Sequence, residues 1–372
     1  MRYLFSLFLL CFCLASGPAQ VLEHLKKQVD KIIYYDTSID RKKIPGFVIA
    51  IQLGDSTYIW GNGQKNWNNE LPPDENTVFE IGGLTKVFTA SLVQLLVEEK
   101  RLHYDSTVNS YLPECYQNPK AEHLKLKDLV QHSSGIPRMP LEFGLKEKEA
   151  NNPYAYYTEK DLMEFYKDFY LSPEDSGAYL YSHVNYALLE YIIEQQSQKS
   201  FESLLNSKLF QPLGMSSTWI ENTPEESSTN IAEGHSLSGQ PTPMWTFQSF
   251  RASEGIKSNA VDLIQFMRSN LGHQPEHLAK SFAQNHSPVI DTKMRYKTFG
   301  ANGWHVMKIK KYHDVIVHAG STDGYRAFMG FVKEADNGVV LLSNSELSMS
   351  GLGLLILRMI NHNWKKKKKR YK

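Results

Sequence analysis

Three short apolar runs near the carboxyl terminus constrain this chain more than any other feature of its sequence. They cover residues 315–318, 327–333 and 339–343, and turn-rich stretches at 320–324 and 334–338 separate them. Apolar runs of this length, bounded by Gly, Asp and Asn, are typical of strands joined by short turns. Because such short connections join only antiparallel strands, the pattern predicts an antiparallel meander.

The amino-terminal part predicts a helix followed by a hairpin. Apolar residues recur at helical spacing over residues 22–33. Pro45-Gly46 then interrupts the pattern, and residues 47–53 and 57–60 read as two strands on either side of a Gly-Asp-Ser turn.

The middle of the chain, residues 105–250, mixes short helices with loops. The predicted helices are residues 84–100, 161–170, 186–196, 261–271 and 352–364. We therefore predict an α+β fold, with an antiparallel sheet flanked by helices and a mainly helical insertion. One composite domain over residues 20–364 is expected, with an α/β part at about 20–105 and 250–364 and a helical part at 106–249.

The first residues have the layout of a secretory signal peptide. Arg2 precedes an apolar run of about 12 residues, and a small-residue stretch follows, with cleavage expected after Ala19. The run is shorter than the roughly 20 residues of a transmembrane helix, so no transmembrane helix is predicted. The expected location is secreted or periplasmic, and a retained interfacial anchor is the alternative.

A basic tail follows an acidic body. The tail, residues 365–372, holds seven basic residues, whereas residues 20–364 hold 33 basic and 40 acidic residues. The tail is expected to be solvated, with contact to an anionic surface as the alternative. It lacks interleaved aromatic residues before Tyr371, so specific nucleic-acid recognition is not predicted.

One segment, Phe79 to Ala90, combines a Gly-Gly pair with a lysine at the start of the predicted long helix. Gly83 and Lys86 are three residues apart and lie on one helical face. A side chain at position 83 would lie at the helix amino terminus, where backbone N–H groups lack partners and the dipole favours an anion. On spacing alone the glycine would be unremarkable.

Two further segments contain residue types that bind or transfer protons. Tyr181, with His183 two residues later, precedes a predicted helix, and His318-Ala319-Gly320-Ser321 ends an apolar strand. Tyrosine hydroxyls and histidine rings both donate and accept hydrogen bonds, so these segments supply candidate site residues.

The three segments, in this order, resemble the serine β-lactamase, penicillin-binding protein and esterase superfamily, in particular its class C-like branch. The resemblance spans residues 44–344 and implies a β-lactamase/transpeptidase-like fold. That superfamily places Ser-x-x-Lys where this chain has Gly83 and Lys86, and the lysine there activates the serine. No serine anywhere in the chain stands three residues before a lysine.

The resemblance also implies roles for the other segments. Tyr181 matches the tyrosine that shares protons with the lysine, and His183 stands where an asparagine binds substrate. The segment His318-Ala319-Gly320 matches the Lys-Thr-Gly element in its His-x-Gly form. The backbone N–H of Ser321 would then pair with that of residue 83 as an oxyanion hole.

Gly83 leaves three interpretations open: a natural pseudoenzyme, an introduced or miscalled residue, or a site with other chemistry. The first predicts a catalytically dead or strongly impaired protein that keeps a cleft for a small-molecule or peptidoglycan-like ligand. The alternative is an active hydrolase, of β-lactamase, carboxypeptidase or esterase type, with an unrecognised nucleophile. Thr85 and Ser321 are its nearest hydroxyl groups in the sequence.

Neither a metal nor a cofactor is predicted. His132, His183, His305 and His313 show no His-x-x-x-His spacing, and the chain has no Cys-x-x-Cys pair. The Gly82-Gly83 pair lacks the rest of a phosphate-binding loop.

Overall fold

The computed structural model describes residues 17–35, 44–66, 71–144, 152–171, 177–225, 228–294, 296–309 and 313–361. Most of the predicted signal peptide and the whole basic tail lie outside these residues. The chain divides into two compact units, residues 1–40 and 41–372. The first contains helix α1, Pro18–Tyr35.

The second unit is built on an eight-stranded antiparallel sheet. Its strands, in the spatial order β2-β1-β12-β11-β10-β9-β8-β7, are Ser56–Gly63, Gly46–Leu53, Asn337–Ser343, Arg326–Val332, Val315–Ser321, His305–Met307, Thr298–Gly300 and Ile290–Asp291. The predicted hairpin and meander are therefore neighbours, with β1 paired to β12. Strands β7 to β9 were not predicted, because segments of two or three residues are too short to show a periodic pattern.

Helices cover both faces of this sheet. Helix α11, Ser350–Ile360, packs on β11 and β12, and α9, Ala260–Leu271, packs on β1, β11 and β12. The contacts are close, since Leu357 and Met267 lie directly against glycines of β11 and β12.

Eight further helices are described in this unit. They are α2 Thr85–Glu98, α3 Leu126–Val130, α4 Glu159–Asp168, α5 His183–Ser197, α6 Phe201–Leu205, α7 Gln211–Leu213, α8 Arg251–Glu254 and α10 Glu276–Gln284. Two short two-stranded sheets pair β3, Phe79–Glu80, with β6, Lys257–Ser258, and β4, Gly234–His235, with β5, Pro241–Thr242. The predicted split of the domain at about residues 105 and 250 stays a prediction.

Helix α2 is the central helix of the candidate site. Eleven of its residues are buried, and it contacts α5, α8 and α10. A 3-10 turn, Gly82–Leu84, precedes it and lies against β10. Helix α5 packs against α2. Its N-cap is Ser182, which accepts a hydrogen bond from Asn185 N–H (3.1 Å). No helix among the described residues is long and apolar enough to span a bilayer.

Candidate active site

The backbone at Gly82 and Gly83 lies directly against the end of β10. Gly82 has φ +48°, a left-handed conformation that favours glycine, and a Cβ atom there would lie 2.7 Å from Ser321 N. A Cβ atom on Gly320 would overlap the Ile81 carbonyl oxygen. Glycine is therefore required on both sides of this contact.

The end of β10 presents a free backbone edge to this turn. Thr322 N–H donates to Tyr325 O (3.1 Å), and hydrogen-bonded and non-bonded pairs alternate in an antiparallel ladder. Ser321, paired with Arg326, is thus at a non-bonded position, and its N–H points away from β11. Strand β9 pairs with β10 no further than Val317, as far as the structure describes the chain. Ser321 N–H is therefore directed at the open edge beside Gly82–Leu84.

Lys86 is fully buried one turn into the helical segment. Its Nζ donates to Glu254 Oε1 (2.7 Å) and to Ser253 O (3.1 Å), and it lies 4.9 Å from the centre of the Tyr181 ring. Burial lowers the pKa of Lys86 to about 8, although the carboxylate of Glu254 opposes that shift. The lysine is therefore mainly protonated at neutral pH.

Glu254 is the residue of the site that sequence reasoning missed. It is the last residue of α8, and its side chain is almost fully buried. Burial raises the pKa of Glu254, but the nearby Lys86 and His183 outweigh that effect and hold the pKa at about 2. In the sequence its only signal is the string Glu254-Gly255-Ile256, which does not indicate an ion pair with Lys86.

His183 contacts the same carboxylate from the first turn of α5. Its Nδ1 lies 2.6 Å from Glu254 Oε1. Burial and the charge of Lys86 lower the pKa of His183 to about 4, so the ring is neutral at neutral pH. The carboxylate thus joins Lys86 and His183.

Tyr181 and His318 lie on the β10 side of Lys86. Tyr181 Oη lies 3.3 Å from His318 Nε2. Burial raises the pKa of the Tyr181 hydroxyl well above its usual range and lowers the pKa of His318 well below its own. At physiological pH Tyr181 is therefore a protonated phenol, and His318 is a neutral imidazole of low basicity.

A chain of aromatic and histidine rings extends from Tyr181. The His305 and His318 rings stack at 5.4 Å, Tyr179 Oη lies 2.7 Å from His305 Nε2, and the His132 ring lies 4.6 Å from the Tyr181 ring. Within the described ranges no group of His, Cys, Asp and Glu has the arrangement of a metal site.

The structure therefore brings together every residue that the sequence proposed for the site. Gly83, Lys86, Tyr181, His183, His318, Gly320 and Ser321 all lie where the α2 amino terminus meets β10 and α5. Their catalytic and binding roles stay predictions. The arrangement combines backbone N–H groups at the α2 amino terminus and at Ser321 with a buried ammonium group and a buried carboxylate.

The sequence of this chain was compared with those of known protein families. Residues 22–357 match the family described as beta-lactamase. This chain belongs to the beta-lactamase family. The correspondence of Gly83 to a nucleophilic serine stays a prediction.

The curated relatives of this beta-lactamase family member are distant. A beta-lactamase of Yersinia enterocolitica is 23% identical over 340 residues, which cover 82% of this chain and 84% of that protein. Unguisins hydrolase ungD' of Aspergillus campestris is 24% identical over 344 residues, which cover 86% of this chain and 62% of that longer protein.

Solved structures share the fold. A class C beta lactamase superposes with a TM-score of 0.78 at 21% identity and covers 92% of this chain and 98% of its own. The beta-lactamase/D-alanine carboxypeptidase from Pseudomonas syringae gives a TM-score of 0.76 at 19% identity, with 92% and 99% covered. The predicted α+β fold of the beta-lactamase family is thereby confirmed.

Proposed function

We propose that this member of the beta-lactamase family is a non-catalytic binding protein for cell-wall peptides, β-lactam-like compounds or esters. One observation carries the proposal: position 83 has no side chain, and Lys86 Nζ faces a carboxylate and a backbone oxygen instead of a hydroxyl. Loss of the nucleophile costs about 10⁶ in kcat in a well-studied hydrolase.

Nearby hydroxyl groups do not replace the serine. Thr85 Oγ1 is buried and accepts a hydrogen bond from Ile256 N–H (3.1 Å). Ser253 Oγ is also buried and donates to Glu254 Oε1 (3.4 Å). The Ser321 side chain is exposed, but Lys86 makes no hydrogen bond to it among the described residues. Of these three hydroxyl groups, the one that donates to a carboxylate is buried, and the exposed one has no hydrogen bond to Lys86 among the described residues.

The ligand class follows from the backbone donors. The N–H of Ser321 points to the open edge of β10, and that of residue 83 belongs to the start of a helical segment, where N–H groups lack intrahelical partners. Two N–H groups at such a junction suit a carbonyl oxygen, which amides, β-lactams and esters all have. Without a nucleophile, binding stops at the non-covalent complex.

We also propose that the protein is exported. The signal-peptide layout of residues 1–19 supports export to the periplasm or the exterior. The seven basic residues of the tail, beside a body with excess acidic residues, suit an anionic surface such as a lipid or a cell-wall polymer.

A labelling experiment tests the absence of catalysis. The unmodified protein is incubated with a fluorescent penicillin, denatured, and analysed by gel and intact mass. We expect no covalent adduct and no turnover of a chromogenic cephalosporin or ester. A stoichiometric adduct would contradict the proposal.

A pair of variants tests the binding site. Ser321→Pro removes the N–H that points away from β11 and leaves the strand ladder intact, whereas Ser321→Ala keeps that N–H. A ligand that binds the folded state raises the unfolding temperature by an amount that grows with the ratio of ligand concentration to Kd. An acyl-D-alanyl-D-alanine peptide should therefore raise the unfolding temperature of the unmodified protein and of Ser321→Ala, and raise that of Ser321→Pro less. Equal shifts in all three would place the ligand elsewhere.

A further inference from the structure

The geometry points to Glu254 as a positioning residue that, together with Gly83, keeps the site from reacting: we propose that it binds Lys86 and His183 in place of a reactive hydroxyl. This inference rests on the proposed function, since it explains why the site is unreactive. It predicts that two changes, and not one, separate this site from an acylating one.

The first observation is the set of partners of Lys86. Both hydrogen bonds of its Nζ go to α8, to Glu254 Oε1 at 2.7 Å and Ser253 O at 3.1 Å. The ammonium group is fully buried and the carboxylate nearly so. A buried ion pair with its hydrogen bond made is costly to break by removing one partner, so Lys86 is held toward α8.

The second observation is the space beside Gly83. A Cβ atom at this position would lie 2.9 Å from Tyr181 Oη and 3.4 Å from Glu254 Oε1. The first distance is shorter than side chains tolerate. A side chain at position 83 therefore requires the Tyr181 hydroxyl to shift, and its Cβ would contact the Glu254 carboxylate. Glu254 and Tyr181 thus fill the region that a side chain at position 83 would use.

The third observation concerns the proton that acylation must move. When a serine attacks a β-lactam carbonyl, the O–C bond forms and the lactam C–N bond breaks. The hydroxyl proton passes to a base and then to the leaving nitrogen. A neutral lysine can be that base, but the charge of Glu254 favours the protonated form of Lys86. Without that charge, burial lowers the pKa of Lys86 below about 8 and makes a neutral amine available at neutral pH.

His183 strengthens the same arrangement. Its Nδ1 lies 2.6 Å from Glu254 Oε1, the same oxygen that accepts from Lys86, so the carboxylate has close neighbours on both α2 and α5. A carboxylate with two such partners has little freedom to rotate away when a side chain is added at position 83. Gly83→Ser alone, which the sequence suggests would restore the nucleophile, leaves Lys86 paired and cationic.

The test compares five proteins: unmodified, Gly83→Ser, Glu254→Ala, Gly83→Ser/Glu254→Ala and Gly83→Ser/Glu254→Gln. Each is incubated with a fluorescent penicillin at pH 6 to 10, and adduct formation is followed by intact mass. We expect no adduct with either protein that keeps Gly83. At pH 7 the serine–alanine double variant should react at least about tenfold faster than Gly83→Ser.

The pH profile separates this role from a merely structural one. For Gly83→Ser the rate should rise as Lys86 loses its proton, near its pKa of about 8. The rise should move to lower pH in both double variants, because each removes the negative charge. Glu254→Gln keeps the volume of the side chain and serves as the matched variant if Glu254→Ala fails to fold.

Two outcomes would overturn the inference. One is a Gly83→Ser protein that reacts as fast as the double variants with the same pH profile. The other is a set of folded double variants that form no adduct, which would show that Glu254 is not what prevents reaction. An adduct on the unmodified chain would instead contradict the proposed function, so the two failures are distinguishable.

Discussion

Replacing Lys86 by methionine removes one partner of a fully buried ion pair. The substitution keeps most of the apolar volume of the side chain but leaves the Glu254 carboxylate without its 2.7 Å ammonium partner. His183 Nδ1, at 2.6 Å, then remains as its close neighbour, on a ring that is neutral at pH 7.

The expected cost is large because the remaining charge is buried. Removing one member of a buried pair destabilises a protein by about 3–5 kcal/mol, whereas replacing both members by uncharged groups is often neutral or stabilising. Lys86→Met should therefore lower the free energy of unfolding by about 3–5 kcal/mol at pH 7. Lys86→Met/Glu254→Gln should recover most of that loss.

The cost should also depend on pH, in a direction that the pKa shifts determine. In the unmodified protein the pKa of Glu254 is lowered to about 2, so its contribution to stability is present above pH 4.5 and is lost as the pH falls. In Lys86→Met the ammonium group no longer offsets the effect of burial, so the pKa of Glu254 is higher than in the unmodified protein. As the pH falls, the folded variant therefore takes up a proton at Glu254 or His183. The proton uptake in Lys86→Met shrinks the difference between the two proteins as the pH falls from 7 toward 4.5, and the loss of the Glu254 contribution in the unmodified protein adds to it only below pH 4.5.

Urea unfolding followed by tryptophan fluorescence at pH 7 and pH 4.5 measures these differences, since the chain has six tryptophans. The double variant is the control for lost packing. A cost below about 1 kcal/mol at pH 7, or a cost that does not change with pH, would refute the view that the ion pair is buried and charged.

Three further predictions concern residues around the site. Burial raises the pKa of Glu80 to about 7 from 4.5, so its contribution to stability is lost as the pH rises between these values. The unmodified protein should lose roughly 3 kcal/mol relative to Glu80→Gln over that interval, at about 1.4 kcal/mol per unit, and parallel urea-unfolding curves would contradict this. Gly320→Ala should cost about 3 kcal/mol or more because its Cβ overlaps a backbone oxygen. Thermal unfolding measures this cost, and Gly351→Ala in α11 is the control, because a Cβ there meets nothing within 4 Å. The control should be neutral or stabilising by up to about 1 kcal/mol. Gly83→Ala should cost about 1–3 kcal/mol through its 2.9 Å contact with the Tyr181 hydroxyl, and less in a Tyr181→Phe background, so equal costs in the two backgrounds would place the strain elsewhere.

Much of the fold could be predicted because it depends on local patterns. The hairpin β1–β2 and the meander β10–β12 are runs of apolar residues long enough to show strand character, and the turns between them are short and polar. The three short strands β7 to β9 were missed, because their pairing depends on neighbours and not on their own composition.

The features of the candidate site also fall into two groups, those that the local sequence predicts and those that depend on tertiary contacts. The sequence by itself determined that position 83 lacks a nucleophile, that Lys86 follows it by one helical turn, and that Tyr181 and His318 belong to recognisable segments. These facts depend on residue identity and on spacing within a single segment.

Only the tertiary structure decided which groups Lys86 contacts and which charge it carries. Its partner Glu254 is 168 residues away in the chain, and the partner of Tyr181, His318, is 137 residues away. No local periodicity connects such positions, because their contact depends on how α2, α8 and β10 pack together. The charge state of a buried lysine is set by those neighbours and not by its own type. For that reason the sequence showed that position 83 has no side chain, and only the packing showed which carboxylate lies beside that position.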